Sequence, residues 1–308
     1  MLVAAPFGRL PYLAALLCWT VIGLALFVWV ARRHVADRRL LAAILISPAA
    51  VFCLISGQSS LVTVAMLLTI FAWLDRKPLL AGILLGLLTL KPQLGALFPV
   101  MLVASGRWRV FLVASATALL IAATTTALFG PQVWIDFVQK GLPAQNLVLA
   151  DPDRIGTAYY PTIFMNVAAP ARVRPCHGDP NLLFGLRDRR RILRLQVSQA
   201  RRPAASGGAV LCLLDLRRSY LLSYDTPATT CLAVMLLGNG KLDLRGEVLA
   251  KLHYWLPLIQ MALGTAHNPG PALIPPAFAL YALVRLKADR GTPAHNAHAR
   301  AATAVVLE

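Results

Sequence analysis

Four polar residues are conspicuous in an otherwise apolar chain: Gln58, Lys91, Asp225 and, beside the last, Tyr224. Lys91 lies between two apolar runs, and Pro92 after it sets a broken-helix turn. An ionisable residue among apolar helices is by default a functional candidate, here as a cation for an anionic ligand. It can equally be a lysine snorkelling to an interface. Gln58, in Gly57-Gln58-Ser59-Ser60, can hydrogen-bond a ligand or cap a helix at a turn. Asp225 opens an apolar run, where its carboxylate can bind ligand hydroxyls, pair with Lys91, or act as a favourable charge at a helix N-terminus.

The elements that must hold these residues follow from composition. The chain has 308 residues, 58% hydrophobic and only 14% charged, with 30 Lys+Arg against 13 Asp+Glu. A soluble domain carries about 25% charged residues and could not cover its surface with so few. Disorder requires low hydrophobicity, and a soluble nucleic-acid binder is basic without being this apolar. The expected class is therefore an all-α, polytopic transmembrane helix bundle of eight or nine visible helices, with no nucleic acid as partner. Cys18, Cys53, Cys176, Cys212 and Cys231 are scattered without a CxxC pair, which excludes a zinc ribbon or disulfide scaffold. No His/Asp spacing points to a metal; His253 and His267 stand isolated, and no cofactor is expected.

Apolar runs cover Pro11–Ala31, Leu40–Ile55, Ser60–Leu74, Pro78–Leu90, Gln93–Ala104 and Val110–Phe129, then Leu221–Leu237, Leu252–Ala266 and Pro271–Val284. Several are shorter than the ~17 residues a span needs, so loop residues must enter the membrane or the bilayer must thin. The turns at 32–39, 75–77 and 107–109 hold eight Lys/Arg, whereas those at 56–59 and 91–92 hold one. Basic turns stay in the cytoplasm, which places the Gln58 turn, the Lys91 turn and the 130–165 loop outside. Lys241, Arg245 and Lys251 form another inside turn, and the C-terminus is cytoplasmic. Gly82 and Gly86 form a GxxxG pair that reads as close helix packing.

The organisation expected is a first set of helices over 1–169, a basic segment over 170–218, a second set over 219–287 and a polar, disordered tail over 288–308. The stretch 171–218 holds eleven Lys/Arg and three aspartates, and no window in it could span a bilayer. It reads either as a basic loop touching anionic headgroups or as text out of register with an ancestral coding frame. The second is preferred, because two spans are required there and none is visible. The same alternation puts the residues before Pro11 outside without a signal peptide, so a preceding helix is expected to be missing.

The order Gly57-Gln58-Ser59-Ser60, Asp75-Arg76-Lys77-Pro78, Gly82, Gly86, Leu90-Lys91-Pro92-Gln93, Pro99 and Gly106-Arg107-Trp108-Arg109 resembles glycosyltransferase family 87, polytopic enzymes of the GT-C type. Phe129-Gly130-Pro131 with Trp134, and Tyr220 to Asp225, resemble its later segments. The resemblance covers about 7–169 and 219–287. It implies an integral membrane hexosyltransferase similar to mannosyltransferases that use a polyprenyl-phosphate sugar as donor. The partners implied are the bilayer, that donor, and a glycan or glycolipid acceptor at the outer face of the cell membrane. On this resemblance Gln58, Lys91, Asp225 and Tyr224 are substrate-binding candidates, with Lys91 on the phosphate. The acidic base of the family's first outer loop has no matching position here, so the catalytic residue is left unassigned. Asp136, Asp151 and Asp153 with Trp134, Tyr159 and Tyr160 suit carbohydrate binding, or equally a wet loop with an aromatic belt. Two other readings stand beside the transferase: a multi-pass transporter or lipid flippase, whose inverted repeats are not found, and an inactive fragment of the transferase.

Overall fold

A computed structural model describes residues 5–35, 37–90, 98–141, 143–144, 223–240, 242–266 and 268–288. Every element among the described residues is helical, and none is a strand. A short 3-10 turn, Ala5–Arg9, leads into α1 (Tyr12–His34), α2 (Arg38–Leu45), α3 (Pro48–Ile55), α4 (Ser60–Trp73) and α5 (Pro78–Leu87). There follow α6 (Phe98–Ala104), α7 (Trp108–Phe129), the short α8 (Gln132–Asp136), α9 (Pro227–Gly238), α10 (Leu244–Gly264) and α11 (Ile274–Ala288). The segment 170–218, Lys91, His267 and residues 289–308 lie outside the described residues.

Two described helices, α1 and α7, are long and apolar enough to cross a membrane, and α2 with α3 makes a third span if the bent pair counts as one. Both long helices leave broad apolar faces uncovered, including Leu13, Leu17, Val21, Leu119, Leu120 and Leu128. An exposed apolar surface of that extent needs lipid against it. The 14 residues of α4 and the 10 of α5 rise only about 20 Å and 15 Å, short of the ~30 Å hydrocarbon core.

Side-chain contacts sort the turns into two ends. Leu16 near the start of α1 lies against Gly57 in the α3–α4 turn, and Gly23 lies against Val62, so α1 and α4 run parallel. In the same way Gly82 of α5 packs on Val110 and Val113 of α7, and Gly86 on Ala114 and Thr117. At one end Asp75 of the α4–α5 turn meets Arg107 of the α6–α7 turn, with Nε to Oδ1 at 3.0 Å and Nη2 to Oδ2 at 3.2 Å. Leu40 at the start of α2 packs on Gly238 at the end of α9, at that same end. Arg32, Arg33, Arg38, Arg39, Arg76, Lys77, Arg109 and Arg245 gather there too, at the ends of the helices that meet. The opposite end holds the 56–59 turn, the 3-10 turn Leu88–Leu90 that extends α5, and the turn before α9.

The run Leu40–Ile55 is not one straight helix: α2 and α3 meet at 50°. Pro48 is the cause. It has no N–H, and in a continuous helix that donor would reach the Ile44 carbonyl. Ser47 takes over: its buried hydroxyl donates to Ile44 O at 2.7 Å and accepts from the Ala50 N–H at 3.3 Å, capping α3. The basic turn expected to precede a helix at Leu252 is also different. Helix α10 begins at Leu244, so Arg245 and Lys251 lie within it. Asp243 caps it by accepting from the Gly246 N–H at 2.8 Å, and Lys251 pairs with Glu247 one turn back.

The core lies between these helices in two clusters. One joins Leu67 and Ile70 of α4, Leu85 of α5, Phe98 and Leu102 of α6 and Ala279 and Ala282 of α11. The other joins Phe27 of α1, Ile44 of α2, Cys53 of α3, Val64 of α4 and Cys231 of α9. The GxxxG pair sets the first cluster's width. A Cβ on Gly82 would fall 2.7 Å from Val113 Cβ, and one on Gly86 would fall 2.5 Å from Thr117 Cβ and 2.8 Å from Ala114 O. Gly86→Leu should therefore separate α5 from α7 and lower stability by about 1–3 kcal/mol or more. The thermal midpoint of the detergent-extracted protein measures it; an unchanged midpoint would refute the packing.

At the basic end, Tyr281 of α11 donates to Asp243 at 2.6 Å. That bond, with the Gly246 N–H next in weight, holds the Asp243 carboxyl below its ordinary range. A depressed carboxylate contributes stability above its unfolded value of about pH 4, and the contribution is lost as pH falls through the lower folded value. Tyr281→Phe should thus lower the midpoint at pH 6 and lose its difference from the wild type as the pH approaches 3, measured by thermal melts across that range.

Candidate functional site

Asp225 is positioned by two separate pieces of chain. It ends a 3-10 turn, Ser223–Asp225, immediately before Thr226 and Pro227 start α9. Pro227 takes the first helical position, where its missing N–H costs nothing. Thr226 is fully buried and donates its hydroxyl to the Ser223 carbonyl at 2.7 Å, closing the turn from inside. From the other side Ser60, the first residue of α4, donates to Asp225 Oδ1 at 3.3 Å. This bond links positions 165 residues apart. It also brings Asp225 to the turn that contains Gln58.

Gln58 sits where α3 ends. Gly57 adopts a left-handed φ of +60°, a conformation open to glycine at little cost. The Gln58 N–H then reaches Cys53 O at 3.0 Å and the Gly57 N–H reaches Leu54 O at 3.2 Å, the bonds that satisfy a helix C-terminus. The Cys53 thiol returns to the Gln58 carbonyl at 3.2 Å. The cap uses the backbone of Gln58 and leaves its amide side chain out of the cap. Any Cβ on residue 57 would also strike Leu16, at 2.4 Å.

Of the four candidates, the structure brings the Gln58 turn and Asp225 together through Ser60. Tyr224 is the middle residue of the same 3-10 turn as Asp225. Lys91 lies outside the described residues, one position after the 3-10 extension of α5 ends at Leu90. Asp136 does not join the group. It is bound to Lys140 at 2.9 Å and Gln132 at 3.3 Å, and its carboxyl is held below the ordinary range, first by the Lys140 hydrogen bond. Trp134 is half-exposed and donates its ring N–H to Thr126 at 2.8 Å. Asp151, Asp153, Tyr159 and Tyr160 lie outside the described residues.

Sequence reasoning missed the polar interior beneath Asp225. Ser60, Thr226, Thr229, Thr230, His253 and Gln260 are all buried. His253 is not isolated: Nε2 lies 2.9 Å from Thr229 Oγ1, and the ring stacks on Phe278 at 4.6 Å. The available signal was spacing, since His253 and Gln260 share a face of α10 two turns apart and Thr226, Thr229 and Thr230 share one on α9. Among the described residues no three His, Cys, Asp or Glu side chains gather as a metal site.

Such a site, a carboxylate and an amide at one end of a helix bundle, can bind hydroxyl-rich ligands by hydrogen bonds. Removing the Ser60 hydroxyl should cost about 0.5–1.5 kcal/mol. In a double-mutant cycle Ser60→Ala and Asp225→Asn should be non-additive by at least ~0.5 kcal/mol, read from thermal midpoints. Additive effects would mean the two side chains do not interact.

Compared with known proteins, residues 1–237 match the model of glycosyltransferase family 87. No curated protein and no solved structure matches the chain.

Proposed function

The chain belongs to glycosyltransferase family 87, and on that premise we propose that it transfers mannose from a polyprenyl-phosphate donor to a glycan or glycolipid at the outer face of the cell membrane. Membership makes the protein a membrane glycosyltransferase; the sugar, the lipid and the side of action are the proposal. The observation that carries it is the match over 1–237, which takes in the Gln58 turn, the Lys91 segment and Asp225 together. The reaction breaks the bond between the sugar's anomeric carbon and the donor phosphate oxygen, and forms one to an acceptor oxygen. The acceptor proton passes to a base, and the departing phosphate needs a cation or donors beside it. Lys91 is assigned to that phosphate. Gln58, Tyr224 and Asp225 are assigned to sugar hydroxyls, and none of the four is assigned as the base.

The topology supports the assignment of side. The turns bearing Gln58 and Asp225 lie at the end away from the basic turns, and basic turns face the cytoplasm. A lipid-phosphate donor lies at the membrane interface, so its sugar is within reach of such turns without a nucleotide pocket.

Membranes carrying the protein should move radiolabelled mannose from polyprenyl phosphomannose into a glycan or glycolipid. Lys91→Ala and Asp225→Asn should each lower the rate about tenfold or more, equivalent to ~1.4 kcal/mol of barrier. No transfer to any acceptor would overturn the proposal. Label that crosses vesicles without entering a covalent product would instead show a transporter.

A further inference from the structure

We infer that His253 is a positioning residue for the Asp225 turn, acting through Thr229 from the middle of α10. The inference rests on the proposed role of Asp225 in substrate binding. Its physical basis is a chain of hydrogen bonds with a defined direction. Thr229 has one hydroxyl proton and gives it to the Thr226 carbonyl at 3.1 Å. Its contact with His253 Nε2 at 2.9 Å is then donated by the imidazole, an assignment made from the network. The Thr226 carbonyl also accepts from the Thr230 N–H at 2.9 Å. Thr226 in turn donates to Ser223 at 2.7 Å, closing the turn that ends at Asp225. Every side chain in this chain, His253, Thr229 and Thr226, is at most 2% exposed.

Burial gives the chain its leverage. These side chains are buried, so a lost partner is not readily replaced: without the imidazole the Thr229 oxygen loses its donor, and without Thr229 the Thr226 carbonyl keeps only the Thr230 N–H. The ring stacks on Phe278 of α11, and α10 itself is tied to α2 by Tyr254, which donates to the Ala43 carbonyl at 3.0 Å. Helix α10 thus holds the imidazole steady against α9. His253 Nδ1 has no hydrogen-bond partner among the described residues. A histidine kept only to fill space would be replaced by phenylalanine without cost at that atom; the Nε2 donor is what phenylalanine lacks.

The test uses the full-length protein in lipid nanodiscs. His253→Phe keeps the ring stacked on Phe278 and removes the donor. Thr229→Val breaks the next link, while His253→Gln and Thr229→Ser restore a donor and a hydroxyl. Amide deuterium exchange of the 223–230 segment should accelerate about tenfold in His253→Phe and Thr229→Val, and return towards wild type in the two restoring variants. Exchange in α5 and α7 should not change. Unchanged exchange at 223–230, or equal acceleration throughout the bundle, would overturn the inference. In the mannose transfer assay, KM for the donor should rise at least threefold in His253→Phe with kcat changed less, and a fall in kcat alone would overturn it. If the wild type transfers no mannose, the proposed function fails, while the exchange experiment still decides the role of His253.

Discussion

A helix that ends or breaks inside hydrocarbon finds no water for its freed backbone groups. That constraint governs this bundle, because several of its helices are too short to cross a membrane unaided. Among the described residues, several interruptions are closed by protein. Ser47 supplies the donor that Pro48 removes. Gly57 takes a left-handed conformation so that two N–H groups can return to the end of α3. Thr226 closes the turn into α9. Two of the buried polar side chains, Ser47 and Thr226, are means by which short helices are made tolerable.

This constraint also shapes the candidate site. A turn in such a bundle must be pinned, and pinned turns from distant parts of the chain can meet. Ser60 does this when it donates to Asp225. The opposite end is joined by ion pairing between Asp75 and Arg107, which ties two basic turns together. Arg107 is largely buried there while Asp75 stays half-exposed, so the pair remains open to water at its carboxylate. The division of labour between ends is physical: charge that can stay hydrated collects at one, while a few hydrogen-bonding groups are held at the other.

Some of the motif residues by which the chain resembles its family have structural work that their types explain. Gly57 ends a helix, Gly82 and Gly86 allow α5 and α7 to touch, and Asp75 with Arg107 joins two turns. Gln58 and Asp225 remain after those roles are assigned, because the Gln58 side chain is not used by its cap and Asp225 lies where two distant chain segments meet. Their separation from the purely structural motif residues could not be made from spacing, which treats all of them alike.

Hydropathy, charge and local chemistry are carried by each residue wherever it sits. That is why the all-helical class, the apolar runs and the close packing at Gly82 and Gly86 were legible in the sequence. Helix boundaries were less so: the start of α10 depends on Asp243 outweighing nearby Arg245 and Lys251, and the bend at Ser47 depends on one rescued carbonyl. The pairing of Ser60 with Asp225 left no local trace, and the spacing of His253 with Gln260 marks a polar face without showing that it meets Thr229 and Phe278. A lone histidine in an apolar run reads the same whether it faces lipid, water or a threonine on another helix. By itself the sequence determined which residues had to leave water and which could break a helix. Only the tertiary structure decided which broken ends meet, because hydrogen bonds between distant segments depend on how helices pack, and packing is a property of neighbours that no single segment encodes.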